Sequence, residues 1–291
     1  MENKISIVCV VGPTASGKTG FSIEYAKEHN GEIISCDSMQ IYKYMDIGTA
    51  KATSAERAEV PHHMIDFVDP NTDYSVADFV EGARKCIEDI SKRGKLPVLC
   101  GGTGLYIDSI INNLEFSEEK RDDEYREYLQ KMADEMGNEA VHNLLKEADP
   151  IEAKKVHYNN VKRVIRALEI CKTTGMTKTE ADKLSIKEPL YNAEIFGMSM
   201  DRERLYERIN KRVDIMMEEG LLDEVKRLLS MGIRRNSTAM QAIGYKEILE
   251  YLDGECDLSS AVDKIKQESR RYAKRQMTWF RRNKEIKWIE V

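Results

Sequence analysis

Very little in this 291-residue chain suits cross-linking or a membrane. Its six cysteines, Cys9, Cys36, Cys86, Cys100, Cys171 and Cys256, are scattered without a C-x-x-C pair. That spacing excludes a zinc ribbon and a disulfide framework and fits a reducing compartment. No apolar run approaches the ~20 residues of a membrane span. The opening MENKISIVCVVG has neither the cationic start nor the small-residue cleavage site of a secretory leader, so a cytoplasmic protein is expected. Histidine is scarce, and the adjacent His62 and His63 of VPHHMID would point to opposite faces of an extended segment, unsuited to one shared metal. Net basic charge is lacking too: 45 Lys and Arg against 51 Asp and Glu leave −6. The average hides a segregation, because Lys264 to Lys287 holds ten Lys/Arg and two Glu, a local +8 against −14 elsewhere. A polyanion responds to the patch, not to the sum.

Strand and helix alternate through the first third. ISIVCVVG reads as a buried strand, followed by a helix from Lys18 to His29 and a second strand, GEIISCD. SVADFVEGARKCIEDISKRG has helical periodicity and stops at Gly94; KLPVLCGG is another strand and GLYIDSIINN another helix. That alternation predicts a parallel sheet flanked by helices. From Ser117 to Leu190 the chain is charged and helical without a clear strand, and AEIFGMSM then resumes the strand pattern. The organisation expected is an α/β core from residues 1–116 and 191–291, interrupted by an all-helical insertion at 117–190.

GPTASGKT, Gly12 to Thr19, satisfies G-x-x-x-x-G-K-[ST] between a strand and a helix. Gly12 and Gly17 permit the turn. Between them the backbone N–H groups of Thr14, Ala15 and Ser16 are expected to surround an anion, Pro13 having no N–H to give, and Lys18 to neutralise it. Thr19 offers a hydroxyl to Mg²⁺. The motif specifies a diphosphate-like anion and leaves its attached group open. A hydrolase carries an aspartate closing a second strand to hold the metal, whereas LPVLC runs into Gly-Gly-Thr. Asp66 and Asp69 are weak substitutes, so a motor or switch ATPase fits poorly.

IISCDSMQIY ends its strand at Asp37, on the strand-end side where open α/β sheets bind ligands. A carboxylate there serves either as a proton acceptor or as the cap of the next turn. GGTG, Gly101 to Gly104, presents Thr103 at a helix start. Further on, Leu205, Ile209, Val213, Met216 and Met217 form an apolar helical stripe, with Arg204, Arg208 and Arg212 on another face.

Taken together, GPTASGKT, SCDSMQIYKYMDIGTAK, VPHHMID, VLCGGTGLY, KRVIRALEI and TAMQAIGYKE resemble, in that order, the bacterial tRNA dimethylallyltransferases, and RYAKRQMTWFRR is similar to the end of that family. The resemblance implies a P-loop NTPase-like core and transfer of a dimethylallyl group to N6 of the adenosine 3′ of the anticodon. It implies that Gly12, Pro13, Thr14, Ala15, Ser16, Gly17, Lys18 and Thr19 hold the diphosphate of dimethylallyl diphosphate, with Mg²⁺ at Thr19 and Arg212 alongside. Asp37 becomes the base or hydrogen-bond acceptor for N6, with Asp37, Ser38, Met39 and Gln40 touching the nucleotide. Thr103, Arg126 and the segment Lys162, Arg163, Val164, Ile165, Arg166 become contacts to the tRNA anticodon stem-loop; a monomer without a membrane partner is expected. The chain stops soon after Trp288 without a zinc-finger pattern.

The chemistry agrees with that implication. An adenine N6 lone pair is delocalised, so catalysis must stabilise the leaving diphosphate with Lys18, Thr19-bound Mg²⁺ and Arg212 while Asp37 manages the N6 proton. In the last helix Lys266, Arg270 and Lys274, and Arg271 with Arg275, recur every four residues, a spacing suited to phosphate contacts. Trp279 reads as core. A transferase acting on free adenine nucleotides and a small P-loop kinase remain as alternatives; the first needs neither the helical insertion nor the basic last helix, and the second needs an adenine pocket for which the sequence gives no clear support.

Overall fold

The computed structural model describes residues 4–115 and 122–291; the expected start of the insertion, Ser117, lies outside them. Six strands form one parallel sheet: β1 (Ile5–Val11), β2 (Gly31–Ser35), β3 (His62–His63), β4 (Leu96–Gly101), β5 (Tyr191–Ser199) and β6 (Lys287–Glu290), in the spatial order β3-β2-β4-β1-β5-β6. The helices between them are α1 (Lys18–Glu28), α2 (Ser54–Glu59), α3 (Val76–Lys92) and α4 (Gly104–Ile111). After these come α5 (Asp123–Met136), α6 (Asn138–Ala148), α7 (Pro150–Lys155), α8 (Val161–Thr174) and α9 (Lys178–Ser185). The chain closes with α10 (Arg202–Glu218), α11 (Leu221–Ser230), α12 (Tyr245–Leu252) and α13 (Leu258–Phe280).

Both faces of β1 are buried, which is why ISIVCVV lacks the alternation of a half-exposed strand. Val8 and Val10 pack with Ile23 and Ala26 of α1, Ile33 of β2 and Val98 of β4. Ile7, Cys9 and Val11, pointing the other way, are buried as well. α3 lies on β2 and β4 through Phe79, Val80, Ala83, Ile87 and Ile90, and a Ser75–Asp78 capping box fixes its start. A second core joins Ile41, Tyr42 and Met45, beyond β2, to Val213, Leu221, Val225, Tyr245 and Ile248 of the later helices.

Two edge strands escaped the sequence reading. β3 has two residues and β6 has the charged sequence KWIE. Neither is long or apolar enough to carry a pattern, and only pairing with β2 and with β5 makes them strands.

The chain divides into two compact units, Met1–Ile111 with Pro189–Val291, and Asn112–Glu188. The second unit consists of α5 to α9 around Leu129, Val141, Leu145, Val164, Ile165 and Leu168. Its buried Glu169 accepts from the Asp122 amide and from the Arg126 and Arg166 guanidinium groups.

At the start of β2, the Glu32 side chain is only 3% exposed and is ion-paired with Arg93 at 2.5 Å, Lys95 at 2.7 Å and His63 at 2.7 Å. Chiefly through the Arg93 hydrogen bonds, its carboxyl is held well below the usual range. A carboxyl depressed in the folded state stabilises the protein above its unfolded value of about 4.3 and loses that contribution as pH falls. Glu32→Gln should therefore cost ~1–3 kcal/mol at pH 7 in urea unfolding, and the difference from wild type should shrink between about pH 5 and pH 3.

Candidate active site

The turn from β1 into α1 takes a shape that few residues accept. Gly12 has φ +144° and Gly17 +89°, and a Cβ on Gly12 would lie 2.7 Å from the Met198 carbonyl oxygen. Ala15, at φ +62°, takes the left-handed conformation without being glycine, a strain common in functional loops. The Ser16 hydroxyl is buried without a hydrogen-bond partner. Lys18 is folded back, its Nζ donating to the Pro13 carbonyl at 2.6 Å. Burial lowers its pKa to about 8, with the Cys100 thiol and Asp37 opposing and Arg212 reinforcing the change. An orphaned hydroxyl and a desolvated ammonium are both relieved by an anion.

Helix α10 supplies the opposite wall. Its stripe Leu205, Ile209, Val213, Met216 is buried as expected, and that packing turns Arg208, Lys211 and Arg212 toward the loop. These three and Ala15 to Thr19 line a cavity of about 330 Å³. Sequence periodicity alone gave Arg212 a solvated face. In the structure its Nη1 donates to Thr14 Oγ1 at 3.3 Å, and burial lowers the pKa of its guanidinium.

Asp37 caps its turn and also stands at a cavity. Oδ1 accepts from the Met39 amide at 2.9 Å and the Gln40 amide at 3.3 Å, capping the turn after β2, and the residue also lines a cavity of about 350 Å³. Thr14, Ser38, Met39 and Arg212 share that cavity, with an apolar wall of Ile209, Val213, Met216 and Ile265. Thr103 Oγ1 accepts from the Ser38 amide at 3.1 Å, and its own amide donates to Cys36 O. Gly101 must be glycine, since a Cβ there would lie 2.1 Å from Cys36 O. The Gln40 side chain serves the turn instead, bonding Ser35, Thr49 and Ala50.

The second unit carries the remaining candidates. Lys162 and Arg163 are exposed on α8. Val164 and Ile165 are buried in that unit's own core, so their side chains hold α8 in place and face no polyanion. Arg126 is engaged bidentately by Glu169, at 2.8 and 2.7 Å, and Arg166 pairs with the same carboxylate.

Helix α13 brings in Ser269 and Tyr272, which sequence reasoning passed over, and places Arg275, read there as suited to a phosphate contact, beside them. Tyr272, Ser269 and Arg275 line the larger cavity, with Gln241 and Lys246 from the segment before α13. Burial pushes the Tyr272 phenol up, Asp37 adds to this, and hydrogen bonds to Thr103 and Gln276 oppose it. Trp279, half-buried, donates Nε1–H to Asp108 at 2.8 Å. Of the basic residues on α13, Lys266 pairs with Asp214, Arg271 with Glu268, and Arg270 bonds Asn210. A signal existed: Tyr272, Arg275, Gln276 and Trp279 follow i, i+3, i+4, i+7 spacing, one face of a helix. Attention to the charges alone conceals it.

The two cavities share Arg212, so an anion in the loop would sit beside an apolar chamber that ends at a carboxylate. Removing one charge-assisted contact to that anion costs ~1.5–3 kcal/mol. Isothermal titration with inorganic diphosphate should accordingly show ~10- to 100-fold weaker binding for Lys18→Met and for Arg212→Met.

The sequence pattern of the family described as IPP transferase matches residues 40–283, and that of isopentenyl transferase matches 5–66. The tRNA dimethylallyltransferase of Acetivibrio thermocellus is 54% identical over 285 residues, covering 98% of this chain and 91% of that protein. That of Bacillus velezensis is 54% identical over 292 residues, covering 100% and 93%. The solved full-length tRNA isopentenylpyrophosphate transferase of Bacillus halodurans has a TM-score of 0.73 at 48% identity, with coverage of 99% of this chain and 90% of that one. A eukaryotic dimethylallyltransferase acting on tRNA has a TM-score of 0.80 at 30% identity, with coverage of 98% and 74%. With a family match over residues 40–283 and relatives 54% identical across nearly the whole chain, the chain belongs to the IPP transferase family.

Proposed function

We propose that this protein transfers the dimethylallyl group of dimethylallyl diphosphate to N6 of the adenosine 3′-adjacent to the anticodon, nucleotide 37, in tRNAs reading codons that begin with U, releasing diphosphate. The observation that carries this reading is the apolar chamber bounded by Thr14 and Arg212 at one end and Asp37 at another. A kinase has no use for an apolar wall beside the terminal phosphate; a five-carbon tail needs one, and Ile209, Val213, Met216 and Ile265 supply it. Curated relatives across the full length are tRNA dimethylallyltransferases, which supports tRNA over a free nucleotide as acceptor.

Diphosphate leaves from an allylic carbon, so charge gathers on the departing oxygens and spreads over the allyl fragment. The amides of the first turn of α1, Lys18 and Arg212 face the departing oxygens and stabilise them where they develop charge; the Thr14 amide is engaged by Gln276 and the Ser16 amide by the Pro13 carbonyl. Ile209, Val213 and Met216 exclude water that would otherwise capture the allyl fragment. Asp37 accepts the N6 proton as that nitrogen gains its new bond, and its capped Oδ1 fixes its direction. Nucleotide 37 must leave its stack to reach this depth.

Magnesium typically takes one or two protein oxygens plus phosphate oxygens and water. Thr19 brings a hydroxyl to the cationic cavity, and among the described residues no cluster of three or more His, Cys, Asp or Glu occurs. That donor set fits a metal held mainly by the substrate's diphosphate, where it would offset phosphate charge.

Two measurements check the reading. With labelled dimethylallyl diphosphate and a tRNA carrying A-A-A beside the anticodon, label should enter the tRNA, and Asp37→Asn should lower kcat by ~10²-fold or more while tRNA binding holds. Label entering only AMP, or γ-phosphate of ATP moving to an acceptor, would overturn it. Replacing Lys162 and Arg163 together by Ala should weaken tRNA binding and lower its salt slope by ~1–2, the value for two lost phosphate contacts.

A further inference from the structure

The phosphate loop and the turn bearing Thr103 are held together by one buried side chain from outside both. Gln276 of α13 is 5% exposed. Its Oε1 accepts from the Thr14 amide at 2.8 Å, and its Nε2 donates to the Gly102 carbonyl at 3.0 Å. The orientation of the amide is forced, because an N–H can only donate and a carbonyl can only accept. Among side chains of that length, only glutamine offers one acceptor and one donor in a plane while uncharged at neutral pH. Gly102 has no side chain for the same reason: a Cβ there would lie 2.0 Å from Gln276 Nε2.

From this we infer that Gln276 is a positioning residue for the transfer reaction, setting the separation between the leaving-group cradle and the acceptor carboxylate. Gln276 binds Thr14 on one side and Gly102 on the other. Next to Gly102, Thr103 fixes the Ser38 amide beside Asp37. Thr14 is thereby held twice, by Gln276 through its main chain and by Arg212 through its hydroxyl. A displacement in which nucleophile and leaving group must align is sensitive to that spacing, where ~1 Å can cost ~10²-fold. Tyr272, one turn earlier, interacts with both Thr103 and Gln276 and lines the chamber. The same face of α13 thus holds the two loops and touches the substrate space.

This inference rests on the proposed reaction, and two variants test it. In Gln276→Glu the carboxylate still accepts from Thr14 but repels the Gly102 carbonyl; once protonated it reproduces the amide's one acceptor and one donor. Gly102→Ala displaces the amide by its Cβ alone, since the next contact outside Gln276, Gly12 O at 3.6 Å, is an ordinary one. Wild type assayed in parallel reports on the reaction itself; only the variant-to-wild-type ratio at each pH bears on Gln276, with folding checked by circular dichroism. At pH ~8.5, kcat of Gln276→Glu should fall ~10-fold or more with KM for the allylic diphosphate changed less than ~3-fold, and the deficit should close toward pH ~5.5. Gly102→Ala should show a similar kcat deficit at every pH. A ratio that stays flat with pH for Gln276→Glu, equal losses in kcat and affinity, or a Gly102→Ala enzyme with wild-type kcat would overturn the inference. Should Gln276→Glu fail to fold, the Gly102→Ala result decides alone.

Discussion

Concentrating positive potential at one buried point is the constraint on which the remainder of this protein depends. The turn between β1 and α1 brings the Lys18 ammonium and the N-terminus of α1 to one small cavity that Arg208, Lys211 and Arg212 also line. Such a turn is not stable by itself: it needs two glycines at positive φ, an alanine in the left-handed region, and walls that keep water from screening it. The surrounding architecture meets these demands. β1 is central in the sheet, with β4 and β5 on either side, and α10 is packed by its apolar stripe so that three cationic residues face the loop.

The acceptor side depends on the same arrangement. β4 pairs with β1 and β2 with β4, so Asp37 and Thr103 arrive near the phosphate loop because the sheet is parallel and its strand ends coincide. Close backbone approach then fixes the details. Gly101 permits contact with Cys36, and Thr103 ties its turn to Ser38. The groups that line the two cavities come from separate segments, and hydrogen bonds at Asp37, Thr103, Lys18 and Arg212 tie them to one another or to the main chain.

Buried charge is handled differently in the two compact units. In the α/β unit Lys18 and Arg212 are left facing a cavity, available to an anion. In the helical unit Glu169 takes up Arg126 and Arg166 internally, leaving Lys162 and Arg163 exposed on α8. The acidic Glu32 cluster at the opposite end of β2 is wholly satisfied by Arg93, Lys95 and His63. Paired groups stabilise the fold, and incompletely paired ones mark where chemistry occurs.

By itself the sequence determined the phosphate loop, the strand-end aspartate, the alternation that makes a parallel sheet and the charged helical stretch. Each of these is a local matter: glycines at fixed offsets, an apolar run that stops at Asp37, periodicity within one helix. Tertiary structure decided the remainder, since it concerns residues far apart in the chain. Gln276 and Thr14 are separated by 262 positions, and nothing local marks their contact. KWIE became a strand only because β5 offered it an edge. Arg212 looked like any surface arginine until packing of Ile209, Val213 and Met216 turned it inward. Val164 and Ile165, inside a segment matched as a whole to tRNA binding, proved to be core because a helix gives its two faces different neighbours.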